Sequence, residues 1–288
     1  MTNLTSKQSA IQARDSFIEL GARSRAKALL DQGSFRELLG PFERLTSPWL
    51  EAQGIVPQAD DGVVIAKGTI DGKSTVIAAI EGSFQGGSLG EIAGAKIAGA
   101  LECAAADNRK GIRTQAVILF ETGGVRLQEA NLGLCAIAEI HSAIVDLRQY
   151  APVVGVVAGT VGCFGGMSIA AALCSYLVVT REARLGLNGP QVIEQEAGVE
   201  EYDSRNRPLI WSFTGGEQRY QTGFADAFAA DDVKAVRSCL QHCFSQGLPA
   251  SHRSDRYREY LARLEQVDVT RQADSDMVRA IFKKGAEA

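Results

Sequence analysis

The sequence predicts an α/β fold, with strands alternating with helices that pack outside them. Three observations predict it. Short runs rich in Val, Ile and Ala, at residues 75–80, 115–120 and 152–158, alternate with longer stretches of helical apolar spacing. Each of these runs leads into a Gly-Gly pair: Gly86-Gly87, Gly123-Gly124 and Gly165-Gly166. Each pair opens a helix-like run. Glycine lets a ligand approach the main chain, and the first amides of a helix point outward unpaired. Such a junction can hold an oxyanion or a carbonyl oxygen with backbone N–H groups alone.

Taken in order, residues 10–30 predict a helix carrying Ile11, Phe17, Ile18, Leu20, Ala26, Leu29 and Leu30, closed by Gly33 as C-cap. Residues 41–60, with Pro41, Pro48, Trp49 and Pro57, predict a connector. Residues 63–70 and 74–80 flank Asp71-Gly72, the favoured two-residue turn of a β-hairpin. Residues 88–107 place Leu89, Ile92, Ala93, Ile97, Ala100, Leu101 and Ala104 at helical spacing, with Ser88 as N-cap. Gly90, Gly94 and Gly99 in that stretch imply close packing on a sheet. Residues 126–149 predict a second helix on Leu127, Leu134, Ile137, Ile144 and Leu147. Strand 152–158, helix 165–174, strand 176–180 and a short strand at 184–187 follow. Pro190 opens a helix as its first residue. Residues 216–222, 231–245, 251–265 and 271–284 are helical and more charged. With no linker visible after residue 60, the chain divides into an N-terminal helix and connector (1–60), a core (61–235) and C-terminal helices packed on the core or on a partner (236–288).

The 288 residues are 45% hydrophobic, ample for a buried core. The net charge of −4 and the lack of a basic stripe interleaved with aromatics argue against nucleic acid. No apolar run is read as approaching the ~20 residues of a membrane span. The polar start from Met1 to Gln8 does not resemble a signal peptide, so a cytoplasmic location is expected. Cys103, Cys135, Cys163, Cys174, Cys239 and Cys243 are scattered without a CxxC, which reads as reduced thiols. Cys239, His242 and Cys243 lack further ligands nearby, so no metal site is expected.

Side-chain chemistry finds little support. Gly86-Gly87-Ser88-Leu89-Gly90 fits the G-x-S-x-G nucleophile elbow, but His141, His242 and His252 all fall in helical stretches, where a triad histidine is not normally placed. Gly72-Lys73-Ser74 ends like a P-loop, yet Gly68 stands one residue too close. Glu121 follows a strand end. Gln128 and Glu129 lie one turn into a helix, Glu129 reading as a solvated or helix N-terminal charge. Lys96 reads as a surface lysine or a phosphate contact.

At these residues the chain resembles the carboxyltransferase branch of the crotonase superfamily, over roughly residues 22–245. Ala22-Arg23-Ser24-Arg25 followed by Leu29-Leu30-Asp31-Gln32-Gly33-Ser34-Phe35 resembles the N-terminal helix motif of propionyl-CoA carboxylase-type enzymes. Phe84 to Gly90 and Glu121 to Glu129 resemble the next two signatures. Gly189 to Gln195 resembles the segment after the second oxyanion loop in bacterial acetyl-CoA carboxylase β subunits. The four-cysteine zinc ribbon of those subunits is missing. That absence, with the Gly162-Cys163-Phe164-Gly165-Gly166 loop, narrows the resemblance to branch members that decarboxylate a malonyl thioester without biotin.

The resemblance implies a crotonase-like fold of stacked ββα units. It implies catalysis by two oxyanion loops, Gly123-Gly124-Val125 and Gly165-Gly166-Met167, on a thioester enolate. The substrate would be a malonyl thioester on an acyl carrier protein subunit bearing a phosphoribosyl-dephospho-CoA arm, or on CoA. Arg23, Arg25, Gly86, Gly87 and Lys96 are candidates for holding that carrier arm. A crotonase-like γ subunit would complete the active site, and an acyl carrier transferase subunit would accompany them. The alternatives are a subunit that passes CO₂ to biotin or acts on acyl-CoA, and a non-catalytic subunit that only docks the carrier arm.

Overall fold

A computed structural model describes residues 14–57, 61–268, 270–271 and 274–282. The chain opens with α1 (Ala22–Leu29) and β1 (Arg36–Leu39), then β2 (Val63–Ile70) and β3 (Lys73–Ile80). Next come α2 (Glu91–Arg109), β4 (Gln115–Phe120), α3 (Ala130–Leu147), β5 (Val153–Val157), α4 (Gly166–Leu173) and β6 (Tyr176–Thr180). Three helices follow, α5 (Pro190–Ala197), α6 (Arg207–Thr214) and α7 (Gly216–Gln221), before β7 (Ala227–Ala229). The chain continues through α8 (Val233–Ser245), α9 (Tyr257–Leu264) and α10 (Ser275–Phe282).

The strands form one seven-stranded sheet in chain order. β1, β2 and β3 pair antiparallel, and β3 to β7 pair parallel. The hairpin expected at Asp71-Gly72 is present, with register running from Val63 opposite Ile80 to Ile70 opposite Lys73. Asp71 and Gly72 take φ of 51° and 73°, as in the type I′ turn that matches strand twist. Alternation along the strands feeds two apolar layers. Ile65, Val76, Ile118, Phe120 and Val179 meet α2, α3 and α4 on one face. Val64, Ile77, Val117, Val156 and Val178 meet α1 and α8 on the other.

β3, β4, β5 and β6 each continue past their ends into a short second segment. Leu89 bridges Val125, Thr122 bridges Cys163, and Cys163 bridges Leu185, all in parallel. These bridges make a small second layer, so the expected stack of ββα units holds. The short strand expected at 184–187 is reduced to bridges at Arg184 and Leu185.

Several elements differ from expectation. The first helix covers only Ala22–Leu29 of the expected 10–30, whose residues 10–13 lie outside the described residues. Before it, the carbonyls of Phe17 and Ile18 accept from Arg25 Nε (3.0 Å) and Nη2 (2.6 Å), and Ile18 N donates to Asp231 Oδ1 (2.9 Å), so that backbone is satisfied outside a helix. Residues 127–147 are long and apolar enough to cross a membrane, contrary to the reading of the sequence. Their inner face, Ile137, Ile140, Ile144 and Leu147, is buried in the core, and this packing accounts for much of that apolar content. The sequence reading also passed over β1, β7 and α6, although Asn206 caps α6 by accepting from Leu209 N at 3.2 Å.

The turn of the hairpin is clamped from outside. Asp31 accepts from Thr69 Oγ1 (2.6 Å), Gly72 N (2.9 Å) and Arg237 Nη2 (2.5 Å). The Thr69 hydroxyl first, then the Gly72 amide and Arg237, outweigh partial burial and hold its carboxyl at about 2 against an ordinary 3.8. A pKa lowered by folding contributes stability that is complete above about pH 4 and fades as the pH falls toward 2. Asp31→Asn will therefore lower Tm at pH 7. Its deficit against the parent protein will shrink when melting is repeated in steps from pH 4 to pH 2.

Candidate functional site

The three Gly-Gly turns lie side by side at the C-terminal ends of β3, β4 and β5, the edge at which open parallel sheets bind ligands. They are nested by their own backbones. Gly123 N donates to Gly86 O at 2.9 Å, and Leu89 N to Gly124 O at 2.8 Å. Thr122 N donates to Gly162 O at 2.8 Å, and Phe164 N to Thr122 O at 3.1 Å. The second and third turns touch: a Cβ on Gly165 would stand 3.4 Å from Gly124 Cα, and one on Gly124 3.2 Å from Phe164 O. Both glycines take positive φ, 110° at Gly124 and 61° at Gly165, so a side chain at either is strained as well as crowded.

Nesting divides the six expected amides into two groups. Gly123 N is used by Gly86 O, Gly124 N by its neighbour Thr122 Oγ1 at 3.0 Å, and Gly165 N by Leu187 O at 2.7 Å. Among the described residues no acceptor meets the N–H groups of Val125, Gly166 and Met167. Gly166 and Met167 are the first two residues of α4, so their free amides stand at the positive end of the helix dipole. Only this third Gly-Gly pair opens a helix directly. Four residues separate Gly86 from the start of α2 at Glu91, and a 3₁₀ turn intervenes between Gly124 and α3.

Charged side chains around the turns serve the fold. Glu121, just past β4, pairs with Arg25 in a buried contact. Its carboxylate fills a slot where a Cβ on Gly82 would lie 2.5 Å from Glu121 Cγ and one on Gly159 1.8 Å from Oε1. Glu129, expected as a solvated or helix-end charge, is buried. It accepts from Arg126 Nη1 at 3.0 Å and caps α2 by accepting from Glu91 N at 2.7 Å. Gly90 therefore takes the N-cap position, and Ser88, expected there, instead meets Arg126 Nε at 3.4 Å. Lys96 is buried, donating to Asp61 Oδ1 (3.0 Å) and Oδ2 (2.9 Å), Gly40 O (3.1 Å) and Val63 O (2.7 Å). Arg25 and Lys96 are thus committed inside the protein and do not present themselves to a carrier arm. Arg23 pairs with Glu37 at 2.6 Å with nearly half of its side chain exposed. Gly87 packs against the Glu121 carbonyl, and Gly86 stands at the surface.

Side-chain nucleophiles are also placed elsewhere or suppressed. Burial pushes the Cys163 thiol well above its ordinary range, with the neighbouring Cys174 adding to the effect. His141 meets Gly166 O at 2.7 Å, His252 heads a 3₁₀ turn and His242 lies in α8, so no described bond joins a histidine to Ser88. The 780 Å³ cavity lies at the opposite end of the sheet, lined by Lys73, Asn108, Arg113 and Tyr150. On the glycine ledge Gly86 and Gly123 are exposed, Val125, Gly165 and Gly166 half-buried and Met167 buried, and exposed Leu127, Leu134, Ile169 and Leu187 also lie in the neighbouring segments.

A carboxyl transferase domain matches residues 19–279. The malonyl-S-ACP:biotin-protein carboxyltransferase of Malonomonas rubra is 40% identical over 232 residues, or 77% of this chain and 73% of that protein. Crystal structures of Pseudomonas malonate decarboxylase also hold similar chains. In the hetero-tetramer in complex with malonate the match has 66% identity and a TM-score of 0.90, over 96% of this chain and 100% of the other. In the hetero-dimer it has 60% identity and a TM-score of 0.75, over 89% and 99% of the two chains.

Breaking a buried ion pair by removing one partner costs about 3–5 kcal/mol. Glu121→Ala will cost that much in denaturant unfolding, because Arg25 stays buried. Ser88→Ala will leave turnover unchanged in the same preparations; an inactive Ser88→Ala protein would restore the hydrolase reading.

Proposed function

This chain belongs to the carboxyl transferase domain family, and we propose that within it the protein is the β subunit of a biotin-independent malonate decarboxylase. It converts a malonyl thioester to an acetyl thioester on an acyl carrier protein subunit. The observation that carries this reading is the junction of the second and third glycine turns, where Gly124 and Gly165 touch and the Gly166 and Met167 amides are free.

Cleavage of the bond between the carboxylate carbon and Cα releases CO₂. The electron pair stays on the substrate as an enolate, with its charge on the thioester oxygen. Amides fixed in place before the reaction stabilise that oxygen more than they stabilise the ground-state carbonyl, which lowers the barrier. A proton delivered to Cα then completes the acetyl group. The free amides of Gly166 and Met167, at the positive end of α4, fit the enolate oxygen, with Val125 N as a third donor across the junction. Gly123, Gly124 and Gly165 act as the scaffold that holds them. The chemistry needs no ionisable side chain from this chain at the oxygen, in keeping with the structural use of Glu121, Glu129 and Lys96.

The thioester carrier is read as a phosphoribosyl-dephospho-CoA arm, and Arg23 is the exposed basic residue that fits its nucleotide end. A crotonase-like γ subunit covers the ledge, seating on the apolar rim of Leu127, Leu134, Ile169 and Leu187, and an acyl carrier transferase subunit loads the arm. The heteromeric structures of the Pseudomonas relatives support this assembly. A second reading has one specific support: the Malonomonas rubra relative is named for transfer to a biotin protein. The higher identity to the decarboxylase chains favours release of free CO₂.

Two measurements test the reading. The assembled complex, given malonyl-carrier, will release CO₂ at the same rate with or without a biotin carrier; a strict biotin requirement would establish carboxyl transfer instead. Gly165→Val, which breaks the contact with Gly124, will cut kcat by at least about 100-fold, the cost of losing one oxyanion donor. The subunits will still co-elute. Normal turnover in that variant would leave this chain as a docking subunit only.

A further inference from the structure

We propose that His141 and Ser168 are positioning residues that aim the two free amides of α4. The inference rests on the oxyanion reading of the site. A peptide group is planar and carries the C=O of one residue and the N–H of the next, pointing in opposite directions. Gripping the carbonyl therefore fixes the direction of the amide. The Gly166 N–H shares its plane with Gly165 C=O, which accepts from Ser168 Oγ at 2.7 Å and Ser168 N at 3.0 Å. The Met167 N–H shares its plane with Gly166 C=O, which meets His141 Nε2 at 2.7 Å. Each free amide thus has a side-chain donor on the back of its own peptide plane.

The arrangement suits an oxyanion site in two ways. Rotation of either plane away from the substrate breaks a short hydrogen bond. A donor on the carbonyl also polarises the peptide group, which strengthens its N–H as a donor in turn. His141 stands on α3, so its bond additionally ties α3 to the first turn of α4. The Gly166 carbonyl can only accept, so Nε2 carries a hydrogen. The neutral Nε2–H tautomer and the imidazolium both satisfy that requirement. Either form donates to the carbonyl. This separates a positioning role from proton transfer to Cα, which would place a limb in the pH profile.

The test uses the assembled decarboxylase with malonyl-carrier as substrate. His141→Ala will lower kcat about tenfold at unchanged KM, less than the 10²–10³ lost when an oxyanion donor is removed outright. His141→Gln, whose amide N–H reaches the position of Nε2–H, will restore kcat to within about threefold and will keep the pH profile of the parent protein. Ser168→Ala will lower kcat severalfold. Parental kcat in His141→Ala overturns the proposal. So does a His141→Gln enzyme as slow as His141→Ala and lacking a limb of the parent pH profile, which would make His141 a proton donor. If His141→Ala fails to assemble, His141→Gln and Ser168→Ala still decide the matter. An inactive Gly165→Val beside a fully active His141→Ala removes this inference alone, whereas a fully active Gly165→Val removes the oxyanion reading itself.

Discussion

The buried pair of Arg25 and Glu121 is the constraint on which the rest of the structure depends. Its carboxylate sits where the chain leaves β3, β4 and β5, in space that exists because Gly82 and Gly159 lack side chains. Its guanidinium comes from α1 and also holds the carbonyls of Phe17 and Ile18. One pair therefore joins the second helical layer to three strand ends at once. Desolvating two charges is costly, and here the cost is offset by close ion pairing and by further hydrogen bonds on the arginine. The same Glu121 peptide meets Gly87, so the first glycine turn is seated on the residue that anchors the second.

From that anchor the glycine turns take on different tasks. The first gives its Gly86 carbonyl to Gly123 N, and the second spends two of its own amides internally. Only the third leaves successive amides free, because there the helix begins at once. Ionisable groups close to the ledge are absorbed in the same scaffold. Glu129 caps α2 and holds Arg126, and Asp61 receives Lys96. What remains for a substrate is backbone, rigidly held and without a formal charge of its own.

Much of this fold is legible in the residues. The Asp71-Gly72 turn and its alternating flanks specify a hairpin through local geometry alone. The runs at 116–120, 152–158 and 177–179 are apolar throughout because both of their faces are covered. The location of the ledge was legible too, since Gly-Gly pairs recur at three equivalent strand ends. Which amides stay free was not, because that depends on pairing between turns far apart in the chain, as with Gly123 and Gly86. Arg25 and Lys96 were read as candidates for the carrier arm because the partners that bury them lie 96 and 35 residues away. Nothing in a helical stretch from 126 to 149 marks His141 as facing the Gly166 carbonyl. Residues 14–21 look helical by composition, and only the reach of Arg25 and Asp231 draws their backbone elsewhere.

The clamp of Arg237 on Asp31 spans 206 positions, and Asp231 reaches Ser16 across 215. A chain emerging from the ribosome cannot make either contact until most of it has been synthesised. The sheet face bearing Val64, Ile77 and Val117 is only half covered by α1 and waits for α8 to close it. Closing contacts this distant is slow, and an uncovered apolar sheet invites association with other chains in the meantime. Truncation ahead of α8 at Val233 would therefore leave a nascent protein whose ledge is fully encoded but whose rear wall never arrives.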